Sequence, residues 1–518
     1  MWSRNLSFMD KKHLIKSTGV IGAATAISRI LGFVRDIVIA NFFGTGLVAQ
    51  AFFVAFRIPN SLRDIVGEGA ANAAIVPVLT GYKAKGEDKE FLRASKVLFN
   101  ISFASLSILT LIGIIISPLI VRLIAPGFIR TPSILQLTIQ LNRTIFPYLI
   151  LIGLTAYTMG VLNTKRHFAG PAFGPCLLNI ALILAGLWLC PRIGVMALVV
   201  GVLVGGILQL SLNMIFMYRK GFSIDFREGF RHPAIKKIGT LLIPRAFGSV
   251  VYQVNILVDT MLASLSWIVG AGGVAALYYS NRLIQFPLAI FGLALAQAAL
   301  PKMSHEFSMD NIPKLKETLS FSLRVTFLIM IPASVGLAIL GTPIIKMLFQ
   351  RGEFTSYSTY ITNSALFFYA FGLCAYGGIK LLVACFYSMR DTKTPVKTAL
   401  ASVILNVGLN LILMWPLKLG GLALATSISA TVNFLILYHL LKKRIGGLGT
   451  KEIIDSFLRV LLSSVIMGIV LKFTLTQAFC IKGLILSMVA GAITFMAAAY
   501  IFKVKELEKV FAWALKRR

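Results

Sequence analysis

Charge is scarce in this chain, and negative charge scarcest: 19 Asp and Glu stand against 51 Lys and Arg, and only 14% of the 518 residues are charged. A water-soluble domain carries nearer a quarter charged residues, so most of this surface faces something other than water. The five histidines are scattered and do not gather into a site. The five cysteines (Cys176, Cys190, Cys374, Cys385, Cys480) lack the paired spacing of a zinc site or a disulfide framework. There is no GxxxxGKS or GxxxxGKT phosphate loop, which excludes nucleotide hydrolysis of the usual kind. HExxH, paired CxxC and GxSxG are missing as well. With no catalytic His or Cys and no clustered carboxylates, the chain reads as a non-enzyme. Its excess of 32 positive charges is not collected into an aromatic-laced patch, so nucleic acid is not the expected partner.

What is abundant is apolar. Hydrophobic residues make up 57% of the chain, and runs of about 20 recur throughout, each long enough to cross roughly 30 Å of hydrocarbon as a helix. Backbone groups in lipid must bond within their own segment, so these runs predict helices. About fourteen spans are expected, near 14–42, 47–80, 94–123, 134–162, 171–190, 195–218, 238–267, 273–301, 319–341, 358–388, 397–416, 420–441, 453–475 and 482–502. Alternate connections are rich in lysine and arginine (Lys83, Lys85, Lys89; Arg219, Lys220, Arg227; Lys302, Lys314, Lys316; Lys442, Lys443, Arg444), whereas 43–46 and 268–272 have none. The positive-inside rule then places both termini in the cytoplasm. Met1–Lys16, polar and basic with no cleavage site close behind, reads as a retained tail.

An internal repeat appears at an offset near 220 residues. SRILG at 28–32 pairs with PRAFG at 244–248, AANAAIVP at 70–77 with LAQAALP at 295–301, and LLNIALIL at 177–184 with ILNVGLNLIL at 404–413. Each copy holds six spans and so keeps one orientation, and parallel repeats of this kind place a substrate site between the halves. The expected organisation is all-α and polytopic: an N-terminal lobe over 1–225, a C-terminal lobe over 226–448, and two additional spans with a cytoplasmic tail over 449–518.

Ionisable residues inside spans cost roughly 2.5–3.5 kcal/mol each and usually face an aqueous cavity. Here they concentrate in the first two spans of each half: Arg29, Arg35 and Asp36; Arg57, Arg63, Asp64 and Glu68; Arg245, Asp259 and Arg282. Arg29 and Asp36 share a helix face, as do Arg57 and Asp64, so some arginines are neutralised locally and others are left for a ligand. Two readings compete. The arginines brace the bundle and snorkel, most plainly Arg245 and Arg324 near span ends, or they line a cationic cavity for an anion, for which guanidinium offers paired donors to phosphate. Pro59, Gly67 and Gly69 weaken the second span, and Pro287, Gly292 and Gly270–Gly272–Gly273 predict bending later on. Asp259, Asn406, Asn410 and Thr426 form a second constellation, with Asn406 and Asn410 on one face. One carboxylate with neutral oxygens suits a monovalent cation such as sodium. The plain alternative is interhelical hydrogen bonding.

SRILGFVRDIVIANFFG with AFFVAFRIPNSLRDIVGEGAANAAIVPVL, extended by YYSNRLIQFP (278–287), LFQRGEF (348–354) and FYSMRDTKTPVK (386–397), resembles the MurJ/MviN lipid II flippases of bacterial peptidoglycan synthesis over nearly the whole chain. The resemblance implies a MOP-type fold: two six-helix lobes around a central cavity, with two further helices forming a lipid-tail groove. It implies a monomer of the inner membrane that moves lipid II (undecaprenyl-diphosphate-linked disaccharide-pentapeptide) outward by alternating access. Membrane potential, with or without sodium, would drive it. The residues it assigns to the diphosphate are Arg29, Arg35, Arg63 and Arg282, with Asp36 and Glu68 at family acidic positions. A family sodium site falls on Asp259, Asn406, Asn410, Thr426 and, through its carbonyl, Leu422. Gln50, Asn281 and Asn410 stand where some members carry a carboxylate. The runner-up is a cation-coupled exporter of drugs or other lipid-linked oligosaccharides on the same fold.

Overall fold

The computed structural model describes residues 8–63, 72–165, 167–475 and 479–507. Every regular element among them is helical. The chain divides into two compact units, Met1–Phe43 with Leu47–Gln253, and Gly44–Gly46 with Val254–Arg518.

The first unit holds α1 (Phe8–Phe43), α2 (Leu47–Arg63), α3 (Asn72–Ala84), α4 (Asp88–Ile124), α5 (Pro132–Ile145), α6 (Tyr148–Thr164), α7 (Ala169–Ile193), α8 (Met196–Arg219) and the start of α9 (Pro233–Ala263). The division therefore falls inside α9 and not in the polar connection near residue 225, where the composition changes. Phe91, Phe99, Leu154, Tyr157 and Leu162 form the unit's buried cluster, joined by Ile75 and Leu79 from α3 and Ile238 from α9. Gly201 and Gly205 let α7 and α8 approach closely: a Cβ there would lie 3.1 Å from the Leu182 Cα and 2.9 Å from the Leu178 Cα. With lipid on the outside, such van der Waals contact is what holds apolar helices together.

The second unit continues with α10 (Ser266–Val269), α11 (Gly273–Pro287), α12 (Ala294–Ser308), α13 (Ile312–Phe349), α14 (Ser356–Phe371), α15 (Leu373–Ser388), α16 (Lys393–Ile445), α17 (Thr450–Thr474) and α18 (Ile481–Ile501). Leu315, Leu319, Leu323, Phe327, Leu381, Phe386, Leu437, Val460 and Phe495 form its core. The two C-terminal helices thus share a core with α13, α15 and α16.

Among the described residues nine helices are long and apolar enough to cross a membrane, ten counting α14 and α15 as one span bent by 47°. The bend at Gly372 interrupts what the hydropathy reads as a single span, whereas α5 and α6, parted only by a turn at Phe146–Pro147, run together as one span, Pro132–Thr164. The 53 residues of α16 are two helices in a hairpin, because Lys418 is non-helical (φ 49°, ψ −130°). Ser402 Oγ donates to the Ser429 carbonyl at 3.0 Å, and Asn406 Nδ2 donates to Thr426 Oγ1 at 3.2 Å, so the arms run antiparallel. A straight helix of that length would reach about 80 Å. This hairpin matches the two spans expected over 397–416 and 420–441. Between α11 and α12 the chain makes a π-helical turn, Leu288–Leu293, directly after Pro287. The missing proline N–H favours such a local rearrangement, and Gly273–Ser308 continues through it as one span. Gly270 (φ 92°) and Gly272 (φ 84°), by contrast, shape the turn ahead of α11 and not a bend within a span.

The outer faces are apolar. On α4, Ile108, Leu111, Ile115, Leu119 and Leu123 recur every three or four residues, and Ile115 is 72% exposed. A stripe of that kind has no place against water and suits acyl chains.

Candidate functional site

In the first unit the charged centre is on α1. Arg35, its side chain 12% exposed, donates from Nη2 and Nε to Asp36 Oδ1 at 2.7 and 3.0 Å. Its Nη1 donates to Asn179 Oδ1 on α7 at 3.0 Å. Asn179 turns its amide nitrogen back to the Ser28 carbonyl at 3.0 Å, so one asparagine ties the guanidinium to the α1 backbone. Asp36 is fully buried. Seven-residue spacing placed Arg29 and Asp36 on one helix face; the adjacent Arg35 also reaches Asp36, its long guanidinium arm curling back along its own helix.

Arg29 is exposed on α1, and Arg57 is half-buried on α2. Asp64 and Glu68 lie outside the described residues, as does the Arg63 side chain at the end of α2. Arg245 lies on α9, with its side chain also outside the description. In the second unit Arg282 is half-buried on α11. Two residues before it, the Ser280 hydroxyl lies 2.6 Å from the Ala276 carbonyl of its own helix and 2.7 Å from the Thr362 carbonyl on α14, with one proton to share between them. Arg324 is a bracing residue: its Nη1 pairs with Glu506 Oε1 at 3.0 Å.

The second constellation comes together fully within the second unit. Asn410 Nδ2 donates to Asp259 Oδ1 and to Asn406 Oδ1, both at 2.8 Å. Asn406 Nδ2 donates to Thr426 Oγ1 at 3.2 Å. The Thr426 hydroxyl lies 3.0 Å from the Leu422 carbonyl and 3.4 Å from Asp259 Oδ2, and it favours the nearer acceptor with its single proton. Asn406 and Asn410 are buried, and Asn410 Oδ1 has no hydrogen-bond partner among the described residues. Asparagine presents nitrogen or oxygen with the same shape. A turn of these amides therefore converts donors facing Asp259 into oxygens beside it. The oxygen set (one carboxylate, two amides, a hydroxyl, a carbonyl) fits a monovalent cation. No cluster of three or more His, Cys, Asp or Glu occurs among the described residues.

Asn179 and Lys380 were missed from sequence. Asn179 stands in LLNIALIL, opposite Asn406 in the repeat, so the repeat itself carried the signal. Lys380 is the single charge in the α15 helix LCAYGGIKLLVACFYS. It is exposed, and no carboxylate pairs with it among the described residues. An isolated lysine in an apolar run was the cue.

Set beside known proteins, residues 39–511 match the sequence model of a family described as Lipid II flippase MurJ. A similar curated protein is the probable lipid II flippase MurJ of Vibrio cholerae serotype O1, 37% identical over 441 residues and 83% of each chain. Another is the lipid II flippase MurJ of Burkholderia cenocepacia, 33% identical over 439 residues, 83% of this chain and 84% of that one. A solved lipid II flippase MurJ in an inward closed conformation superposes with a TM-score of 0.80 at 27% identity, covering 93% of this chain and 98% of that one. An inward-facing multidrug resistance MATE family transporter of the MOP superfamily superposes with a TM-score of 0.67 at 17% identity, over 83% of this chain and 99% of that one. That second likeness is one of fold alone.

Proposed function

Because the chain belongs to the lipid II flippase MurJ family, we infer that it carries lipid II across the bacterial cytoplasmic membrane, from the inner to the outer leaflet. The observation that carries this reading is the family match over residues 39–511. It is supported by the multi-pass helical architecture and by arginines placed within spans. The lysine-rich connections support cytoplasmic termini.

In this reading the diphosphate of the cargo meets guanidinium groups during transport: Arg29, Arg35, Arg63 and Arg282, each a fixed positive charge with paired donors. Arg35 reaches that role already oriented: the Asp36 carboxylate offsets part of its charge, and the Asn179 amide helps hold its plane. Asp36 serves as a positioning group, and Glu68 retains the acidic role that family resemblance assigns it. No covalent chemistry is required. Transport proceeds by exposing these groups alternately to the two sides, with membrane potential as the drive for a cargo of this charge. A monovalent cation, sodium by the chemistry of the donor set, would be held by Asp259, Asn406, Asn410, Thr426 and the Leu422 carbonyl. It would supply a second source of energy. The orphaned Asn410 Oδ1 is the observation that favours it.

The test is rescue of a bacterium depleted of its own flippase, with lipid II on the outer leaflet measured directly. Wild type should rescue and restore outer-leaflet lipid II. Arg282→Ala and Arg29→Ala should abolish both while thermal unfolding in detergent is unchanged, and Arg282→Lys should recover part. Full rescue by Arg282→Ala would refute the diphosphate role. Failure of wild type to restore outer-leaflet lipid II would refute the transport reading itself. Export of a small cationic drug in place of lipid II would favour the MATE-type alternative.

A further inference from the structure

A cavity of ≈ 840 Å³ opens between α12 and α13 in the second unit, and the transport reading does not use it. Its walls are of two kinds. Leu295 and Ala298 on α12 and Phe321 on α13 are apolar, and Arg324 follows Phe321 by about one helical turn. Toward the connection between the helices come Lys302, His305, Glu306, Lys314 and Glu317. That connection is one of the lysine-rich ones, so the cavity runs from a membrane surface inward. Thr318 and Arg324 are six residues apart on α13, about 9 Å along the axis.

Two buried polar atoms here lack partners among the described residues: Glu306 Oε2 and Arg324 Nε. Glu306 is only 6% exposed. Its other oxygen accepts from the Thr318 hydroxyl at 2.8 Å and lies 3.9 Å from Lys302 Nζ. Arg324 is held by Glu506 through Nη1 alone, and Glu506 is pinned by Ser456 at 3.0 Å. A buried charged group with an unmet bonding position is destabilising, the more so when ionised. A ligand that completes both is therefore favoured. The terminal torsion of a glutamate is soft, so a small swing presents Oε2 to the cavity.

The two orphans ask for opposite things. Glu306 needs a donor, best an ammonium, and Arg324 needs an acceptor, best a phosphate oxygen. The fixed charges nearly balance, Lys302, Lys314 and Arg324 against Glu306, Glu317 and Glu506, so a bare anion or a bare cation gains little. The donor-seeking end is nearer the membrane surface, and the acceptor-seeking end is deeper, beside the apolar wall. A phospholipid with a primary ammonium beyond its phosphate has this order: ammonium outermost, phosphate next, acyl chains inward.

We propose that the α12–α13 cavity binds a zwitterionic aminophospholipid, with Glu306 taking the ammonium and Arg324 the phosphate. Lys302 and His305 flank the headgroup at the mouth, and Leu295, Ala298 and Phe321 accept the first carbons of the chains. The site is separate from the groups proposed to meet the cargo, and its occupant is a lipid of the surrounding bilayer.

The test uses the full chain in detergent, offered equal amounts of phosphatidylethanolamine, phosphatidylcholine and phosphatidylglycerol with identical acyl chains. Bound lipid is read by native mass spectrometry. Phosphatidylethanolamine should be retained about tenfold over the other two, since a quaternary ammonium has no N–H to give Glu306 and a glycerol headgroup has no cation. Glu306→Gln keeps the Thr318 bond and should bring phosphatidylethanolamine down to the level of the others. Ala298→Phe, at an exposed wall position, should reduce retention of all three. Equal retention by wild type, or a preference that survives Glu306→Gln, would overturn the proposal. Soluble glycerophosphoethanolamine tests the source of the headgroup. Failure to displace the lipid at millimolar concentration supports a membrane ligand, whereas displacement at micromolar concentration would make the site one for a cytosolic aminophosphate and refute the lipid assignment.

Discussion

Asn179 and Asn406 occupy matching places in the internal repeat, one on α7 and one on the first arm of α16, yet they hold different things. Asn179 offers its oxygen to Arg35 and its nitrogen to the Ser28 carbonyl. Asn406 offers its oxygen to another asparagine, Asn410, which goes on to Asp259, and its nitrogen to Thr426. In the first unit an amide orients a permanent cation against Asp36. In the second, amides and a hydroxyl surround Asp259 with groups that present either nitrogen or oxygen. The same scaffold position thus supports a fixed charge in one copy and a convertible set of donors in the other. The repeat conserves the placement of the amide, and the residue across from it decides the chemistry.

The largest effect on this contrast should come from Asp36→Ala. It leaves Arg35 in a nearly buried place without its carboxylate, which typically costs about 3–5 kcal/mol. Thermal unfolding of the purified protein should show a large loss, relieved by the further change Arg35→Met. If Asp36→Ala unfolds at the wild-type temperature, the pair is not structural.

The matched substitutions Asn179→Leu and Asn406→Leu should each cost about 1–3 kcal/mol for unmet polar partners. They should part company in salt. Stabilisation by sodium chloride over choline chloride should disappear in Asn406→Leu and persist in Asn179→Leu. Equal sodium responses in the two variants would remove the distinction drawn here.

The smallest effect concerns a carboxylate outside the spans. Asp391 accepts from the backbone N–H groups of Lys393 and Thr394 at 3.0 Å each and from the Thr394 hydroxyl at 2.7 Å, and it pairs with Arg444. Partial burial pushes its carboxyl up, but the Thr394 bonds and the Arg444 guanidinium outweigh this and hold it below the ordinary value of 3.8. A lowered folded value means the contribution is fully present above that ordinary value and fades as pH falls through the folded one. Asp391→Asn should therefore cost up to about 1 kcal/mol near neutral pH through the lost pairing with Arg444, and the difference from wild type should vanish in acid. A cost that does not change with pH would show that the charge is irrelevant to these bonds.

Much of the fold was legible from hydropathy, including the hairpin of α16, where the polar-poor arms are separated by Pro416, Lys418 and the Gly420–Gly421 pair. The bend at Gly372 was not legible, because a change of direction inside an apolar run leaves the hydropathy unchanged. The amide cluster was legible because Asn406 and Asn410 share a helix face. The Arg35–Asp36 pair was not, since adjacent helical residues point about 100° apart and only a long side chain can close that angle.

By itself, the order of residues determined that this protein is a polytopic helical one, with alternate connections rich in lysine and arginine. Those properties follow from transfer energies and helix periodicity, which are local. Which arginine meets which carboxylate, and which buried oxygens are left wanting a partner at α12 and α13, was decided only by tertiary structure. Such pairings depend on distances of a few ångströms between groups far apart in the chain.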